Sequence, residues 1–380
     1  MNGRDAYVAL AHCVEPGDAA AGRLLRTLGP AGLVECIRAG RTGLRHGEGL
    51  AARLAAGEVA AADDRAARCD ARIVTRVDRE WPSQLEALGE QAPLALWIRG
   101  AADLRLLALR SVSIVGARAC TPYGEEVARM WAAELASDAW TVLSGAAFGI
   151  DAAAHRGALA AGGSTVAVLA GGVDVPYPRA HTALLARIVE EGVVVSETPP
   201  GESVRRQRFL SRNRVIAALG RATLVVEAAD RSGTTATARA ASAMNRPVLA
   251  VPGPISSASS AGCHRMIKEG LAILVSDVPD LLDMLDLTHG GRSGSPGSRR
   301  PREAEPRSRD GLGGRERTIL DALPARGVVG LDALVRAAGL SHTDVLAGIG
   351  LLTADGWAEE DGGGWRLART GRPAASRPRA

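Results

Sequence analysis

The chain has 380 residues and a formal net charge of +4, which allows two or three domains but is too small a charge to imply a nucleic-acid partner by itself. Aliphatic residues dominate and Phe occurs only at 148 and 209; the excess of Ala, Gly and Arg reflects coding bias more than function. Five scattered cysteines (13, 36, 69, 120, 263) without a C-x-x-C pair speak against a zinc ribbon or disulfide framework, and no run of 18 apolar residues speaks for a membrane span, so a reduced, cytoplasmic protein without a membrane is expected.

Residues 1–70 carry short apolar clusters at helical spacing, such as Leu24, Leu25 and Leu28, then Leu33, Val34 and Ile37, and predict a small helical module. From 71 to 288 the pattern changes. Short β-rich runs begin at Val112, Thr141, Thr165, Val193, Thr223, Val248 and Ala272, separated by Ala-rich helical stretches. Strand and helix alternating this often predict an α/β domain with a doubly wound, mostly parallel sheet covered on both faces. Residues 289–313 lack apolar periodicity and read as a Gly/Pro/Arg linker. Residues 314–368 fit three helices and a hairpin, the pattern of a winged helix, and the polar stretch 369–380 reads as a disordered tail.

In an open parallel sheet, function sits beyond the carboxyl ends of the strands. The residues there are Gly116-Ala117-Arg118, then Ser144-Gly145 through Gly149-Ile150-Asp151, Gly172-Val173-Asp174, Ser196-Glu197, Glu227, and Ser232-Gly233-Thr234. Glycine at these turns lets backbone N–H groups approach an anion, but tight strand-to-helix turns need glycine anyway, and both readings stay open. G-x-x-x-x-G-K-[ST] and G-x-G-x-x-G are absent, and Arg118 stands where a dinucleotide needs bare backbone. An arginine there suits a forked contact to a phosphodiester.

The densest basic feature is Val204–Arg214, VRRQRFLSRNR, with Arg205, Arg206, Arg208, Arg212 and Arg214 around Phe209. Charge to follow a backbone and a π-face to accept any base are what a single-strand groove needs; a solvated helix start with Phe209 in the core is the other reading. Arg265 and Lys268 could extend the same surface. Asp151 and Glu197 follow strands and could serve as acids or bases, or hold loops by accepting N–H groups. No nucleophile comes with a recognisable partner.

Taken in order, Ile114 to Arg118 with Tyr123-Gly124, Ser144 to Asp151 with His155, Gly172 to Pro178, Phe209 with Arg212 to Ala217, Ser232-Gly233, Val251 to Gly253 and Gly262-Cys263 resemble the DprA (DNA-processing protein A) family, also called Smf. The resemblance spans about 78–287 and implies an extended Rossmann-like core that binds single-stranded DNA, forms a homodimer, and hands the strand to the RecA recombinase during DNA uptake and recombination, with no cofactor and no enzymatic turnover. It maps basic contacts to Arg118 and Arg179, with Arg208, Arg212, Asn213 and Arg214 beside them. With the loop residues, the candidate DNA contacts are then Gly116, Arg118, Ser144, Gly145, Gly149, Arg179, Arg208, Arg212, Asn213, Arg214, Ser232, Gly233, Arg265 and Lys268. Departures from the family pattern are Arg179 for a lysine, Leu210 for a proline, His181 and His264 for asparagines, and no aromatic just after Arg179.

Two other classes compete. A nucleotide phosphoribohydrolase of the LOG type needs a glutamate where Thr237 stands here. A transcription regulator would read duplex DNA with its winged helix, yet 314–368 holds eight acids against five arginines, which fits a protein-interaction module better.

Overall fold

The computed structural model describes residues 2–44, 47–56, 59–230, 232–288, 312–324 and 327–368; the linker, the tail and Arg231 lie outside this set, apart from Leu312 and Gly313 at the linker's end. The chain forms two compact units, 1–292 and 293–380.

The first unit is built on a sheet with nine strands among the described residues. In chain order these are β1 (Ala71–Thr75), β2 (Ala95–Arg99), β3 (Ser111–Val115), β4 (Thr141–Ser144), β5 (Thr165–Leu169), β6 (Val193–Ser196), β7 (Ala222–Val225), β8 (Val248–Ala250) and β9 (Ile273–Leu274). The spatial order is β1-β2-β6-β5-β4-β3-β7-β8-β9. Strands β3 to β9 run parallel, with Val112 of β3 facing Val142 on one side and Ala222 on the other. All seven parallel strands coincide with the runs read from the sequence. The antiparallel pair β1–β2, with β2 also antiparallel to β6, extends the sheet at one edge and was not anticipated.

The parallel strands are apolar on both sides because helices cover both faces. Val112, Ile114 and Val142 pack against α6 (Pro122–Ser137) and α7 (Ile150–Ala160) through Val127, Trp131 and Ala154. On the opposite face Leu143, Val166 and Val168 meet α9 (Arg206–Leu219) and α10 (Thr234–Ala243) through Val215, Leu219 and Ala238. Helix α8 (Thr182–Glu191) covers Ala167 and Val194 with Leu184, Leu185 and Ile188, and α11 (Ala261–Lys268) contributes Cys263 and Met266. The winding proceeds from β3 to β6 in one direction, then returns to place β7 on the other side of β3. That reversal between β3 and β7 opens a crevice at their carboxyl ends.

The N-terminal helices α1 (Gly3–Cys13), α2 (Ala19–Arg38), α3 (Gly47–Ala56) and α4 (Val59–Arg68) share the sheet's core instead of standing apart. Leu10, Leu33 and Ile37 pack among themselves, while Val8, Ala11, Ala62 and Ala66 join Trp97 and Leu169. The ion pairs of Glu90 with Arg23 and Arg26 tie α2 to the segment ahead of β2. Helix α5 (Leu104–Leu109) and α12 (Val278–Thr288) complete the unit.

The second unit contains α13 (Gly314–Ala322), α14 (Leu331–Ala338), α15 (His342–Ala354) and the antiparallel hairpin β10 (Ala358–Asp361) and β11 (Gly364–Leu367). Val329 bridges Trp365, and Ile319, Leu320, Leu334, Val345, Ile349 and Leu352 form its core. Ser341 caps α15 by accepting the N–H of Asp344. Helix α15 contains no lysine or arginine and exposes Leu346 and Leu351.

Candidate nucleic-acid interface

The loops beyond β3, β4, β5 and β7 meet at the crevice. Arg118 is exposed, has no carboxylate partner among the described residues, and holds its guanidinium carbon 5.1 Å from the centre of the Phe209 ring. Phe209, half-buried on the first turn of α9, lies 5.5 Å from the ring of Tyr177, inclined at 58°. Tyr177 is 42% exposed and Phe148 49% exposed. The Phe148 ring stands edge-on to His181 at 4.8 Å, and His181 is fixed by a hydrogen bond between Nδ1 and the Ala146 carbonyl. Arg179, two residues before His181, is exposed and likewise unpaired among the described residues. Both phenylalanines of the chain, one tyrosine and two free arginines therefore share one rim. Exposed rings with cations beside them offer stacking faces and phosphate contacts together.

Below this rim is a cavity of about 250 Å³ lined by Gly116, Arg118, Asp151, Arg212, Asn213, Ser232, Gly233, Thr234 and Thr237 among others. Its floor is buried. Arg212 is 6% exposed and donates from Nη1 to the Val168 carbonyl at 3.0 Å, while its Nε has no partner among the described residues. Burial pulls the Arg212 guanidinium down to about 10 despite Asp151 nearby, and burial raises the Asp151 carboxyl against the pull of Arg212. Asp151 accepts the N–H groups of Gly145 and Ala147, so of the two readings it holds the loop after β4.

Several sequence expectations need correction. Arg208 and Arg214 do not face solvent: Arg208 pairs at 3.1 Å with Glu15 and at 3.1 Å with Glu202, and Arg214 pairs at 2.7 Å with Glu197. Burial works against the Arg208 charge, but its two carboxylate partners outweigh it and hold its pKa above the ordinary value. Ser144 is fully buried and donates to the Ile114 carbonyl at 2.6 Å. Gly145 is buried with its N–H given to Asp151, and a side chain there would overlap Arg212. Gly149 has φ +74° and packs against the carbonyls of Ala117 and Arg118. Gly116 packs against Ile150. These glycines serve close packing of the loops, and their turns are not a bare phosphate cradle. Arg265 is tied to Asp230 at 2.6 Å, and exposed Lys268 lies at the far end of α11, outside the cavity lining. Of the residues singled out from the sequence, Arg118 and Arg179 stand at the rim, and Gly116, Arg212, Asn213, Ser232 and Gly233 line the cavity.

Phe148 and Tyr177 stand at this rim although neither is among the residues singled out from the sequence. The signal was present: Phe148 is one of only two phenylalanines and sits in a glycine-rich turn after a strand. No aromatic follows Arg179 directly, and the Phe148 ring of the loop after β4 lies beside His181 at this place.

A family model described as DNA recombination-mediator protein A matches residues 72–286. The chain belongs to this family. The match covers the sheet and every rim residue named above. A relative in the family, the putative DNA processing protein DprA of Mycobacterium tuberculosis (strain CDC 1551 / Oshkosh), is 40% identical over 376 residues, 96% of this chain and 95% of its own length. The DNA processing protein DprA of Streptococcus pneumoniae (strain ATCC BAA-255 / R6) is 40% identical over 185 residues, covering 49% of this chain and 64% of the relative. The X-ray structure of the Streptococcus pneumoniae family member superposes with a TM-score of 0.63 at 30% identity, over 74% of this chain and 98% of that one. DNA processing protein A from Helicobacter pylori shares the fold with a TM-score of 0.51 at 24% identity, over 57% and 97%. Membership gives the sheet its reading as a Rossmann-like DNA-processing core.

Proposed function

We propose that the core binds single-stranded DNA without sequence preference along the rim, with Arg118 and Arg179 on phosphates and Phe209, Tyr177 and Phe148 offering faces to bases. The observation that carries this reading is the unpaired Arg118 stacked on a half-buried Phe209 with Tyr177 alongside. Duplex DNA hides its base faces, so exposed rings favour an unpaired strand. The Helicobacter pylori protein of the same fold is described by its single-stranded DNA binding mode, and the family description is that of a recombination mediator, which supports the same direction.

The protein acts by binding and protecting the strand and assisting RecA loading in DNA uptake and homologous recombination, in the cytoplasm, without turnover. Thr237, which lines the cavity, stands where a phosphoribohydrolase of the LOG type carries its acid, and a threonine cannot replace that carboxylate. Among the described residues no helix is long and apolar enough to cross a membrane. A homodimer forms through the core at β9, one of the two outer strands of the sheet, whose Ile273 and Leu274 are half-exposed; an edge with exposed apolar side chains favours pairing with a second copy. The winged-helix unit serves protein contacts: α15 lacks basic residues, and Arg315 of α13 is occupied by Asp344. The test is protection of a labelled strand from a single-strand nuclease, followed by RecA filament formation on it. Protection with faster RecA assembly supports the reading; an unprotected strand refutes it.

A further inference from the structure

The cavity beneath the rim has more donor capacity than the fold consumes. Arg212 Nε and Ser232 Oγ are buried without hydrogen-bond partners among the described residues. Thr234 opens helix α10 on the cavity wall without a side-chain cap, and the next two N–H groups, of Thr235 and Ala236, are given to the Ser232 and Gly233 carbonyls. Buried donors left unpaired are unfavourable, so an occupant that accepts hydrogen bonds is favoured. The sign of the site is positive: Arg118 at the mouth and Arg212 at the floor outnumber the single carboxylate in the lining, Asp151, which already accepts two backbone N–H groups. A helix N-terminus adds to that sign. The required occupant is therefore an anion with several acceptor oxygens.

Size and access refine its identity. A volume of about 250 Å³ lies below the usual range of pockets that hold whole drug-sized ligands, which favours a small occupant. The floor is buried: Asp151, Arg212, Thr234 and Thr237 are closed off from solvent, while Arg118 and Gly233 are exposed and Gly116, Asn213 and Ser232 half-buried around the mouth. A phosphodiester inside a strand carries chain on both sides and would have to turn down to the buried floor and back out again. A phosphate at a chain end, or on a free nucleotide, carries chain on one side only.

We infer that this cavity is a phosphate monoester site, with Arg212, Ser232 and Thr234 at the start of α10 holding the phosphate and Arg118 closing its mouth. The inference deepens the strand-binding reading and rests on it for the view that the phosphate arrives on a strand end; a free nucleoside monophosphate is the other source of the same chemistry.

The experiment measures affinity of one short single strand carrying a 5′-hydroxyl, a 5′-phosphate or a 3′-phosphate, and competition of the hydroxyl-ended strand by adenosine and by adenosine monophosphate. The full chain is used, as wild type and as Ser232→Ala. Because Arg212 also belongs to the core, Ser232→Ala is the primary variant, and its melting temperature is recorded to check folding. A terminal phosphate at one end should tighten binding about tenfold, and Ser232→Ala should reduce that preference to about threefold or less. Competition by the monophosphate and not the nucleoside, without an end preference, keeps the site and assigns it to free nucleotide. Equal affinity for all three strands together with no competition by the monophosphate overturns the inference, and strand binding itself then still stands. Failure of the wild type to bind even the hydroxyl-ended strand refutes the strand-binding reading instead, leaving direct titration with adenosine monophosphate to decide the cavity; no binding there overturns it.

Discussion

Arg118 lies with its guanidinium carbon 5.1 Å from the centre of the Phe209 ring, and neither group is consumed by the fold. One comes from the loop after β3 and the other from the first turn of α9, so the pair bridges the crossover of the sheet. A strand laid across it meets charge and a π-face together.

Phe209→Leu should keep the fold and remove one stacking face. Base–aromatic stacking contributes about 1–3 kcal/mol per base, so single-strand affinity should fall roughly 5- to 100-fold. Fluorescence anisotropy with strand and duplex checks this; equal loss on both would mean the ring supports structure instead.

Arg214→Ala should act on stability. The Arg214–Glu197 pair is buried, at 7% and 8% side-chain exposure, and removing one partner leaves an unpaired charge at a cost of about 3–5 kcal/mol. A melting temperature lowered by about 10 °C, partly restored in the Arg214→Met/Glu197→Met double variant, is the expected calorimetric result. An unchanged melting temperature with lost DNA binding would return Arg214 to the interface.

Acid should destabilise the core through His155. Burial, with His181 and Arg212 adding like charge, lowers its pKa to about 3, while the unfolded chain keeps the ordinary value of 6.5. Between these values the unfolded state binds more protons, so this contribution is complete above 6.5 and is lost as pH falls toward 3. His155 bonds through Nδ1 to Thr165 Oγ1 at 2.7 Å, which His155→Gln can retain in part. Denaturant midpoints from pH 7 to 4 should fall less steeply in His155→Gln than in wild type; parallel curves would contradict the assignment.

Leu274→Glu should give a monomer. The substitution places a charge on the open edge at β9 and leaves the crevice at the centre of the sheet untouched. Light scattering should report half the wild-type mass, while an unchanged mass would move the dimer surface elsewhere.

The parallel strands were legible because runs such as Thr165–Leu169 are apolar throughout, as only doubly covered strands are. β1 escaped notice because Ala71–Thr75 carries Arg72 and sits where helical pattern gives way. The arginines of α9 were legible as a cluster but not as individuals. Arg208 finds Glu15, 193 positions away, and Arg214 finds Glu197 across a loop, pairings that local spacing does not encode. Phe209 was legible within its basic segment, but its grouping with Tyr177 and Phe148 was not, because the three come from segments that only the sheet order brings together.

The most direct measurement is equilibrium binding of a mixed-sequence single strand and its duplex across a salt series, for wild type and Arg118→Ala. Wild type should prefer the single strand with a steep salt dependence. The variant should bind more weakly, with a slope shallower by about 0.7, because it neutralises one phosphate fewer. Equal binding to strand and duplex, or a variant indistinguishable from wild type, would contradict the account.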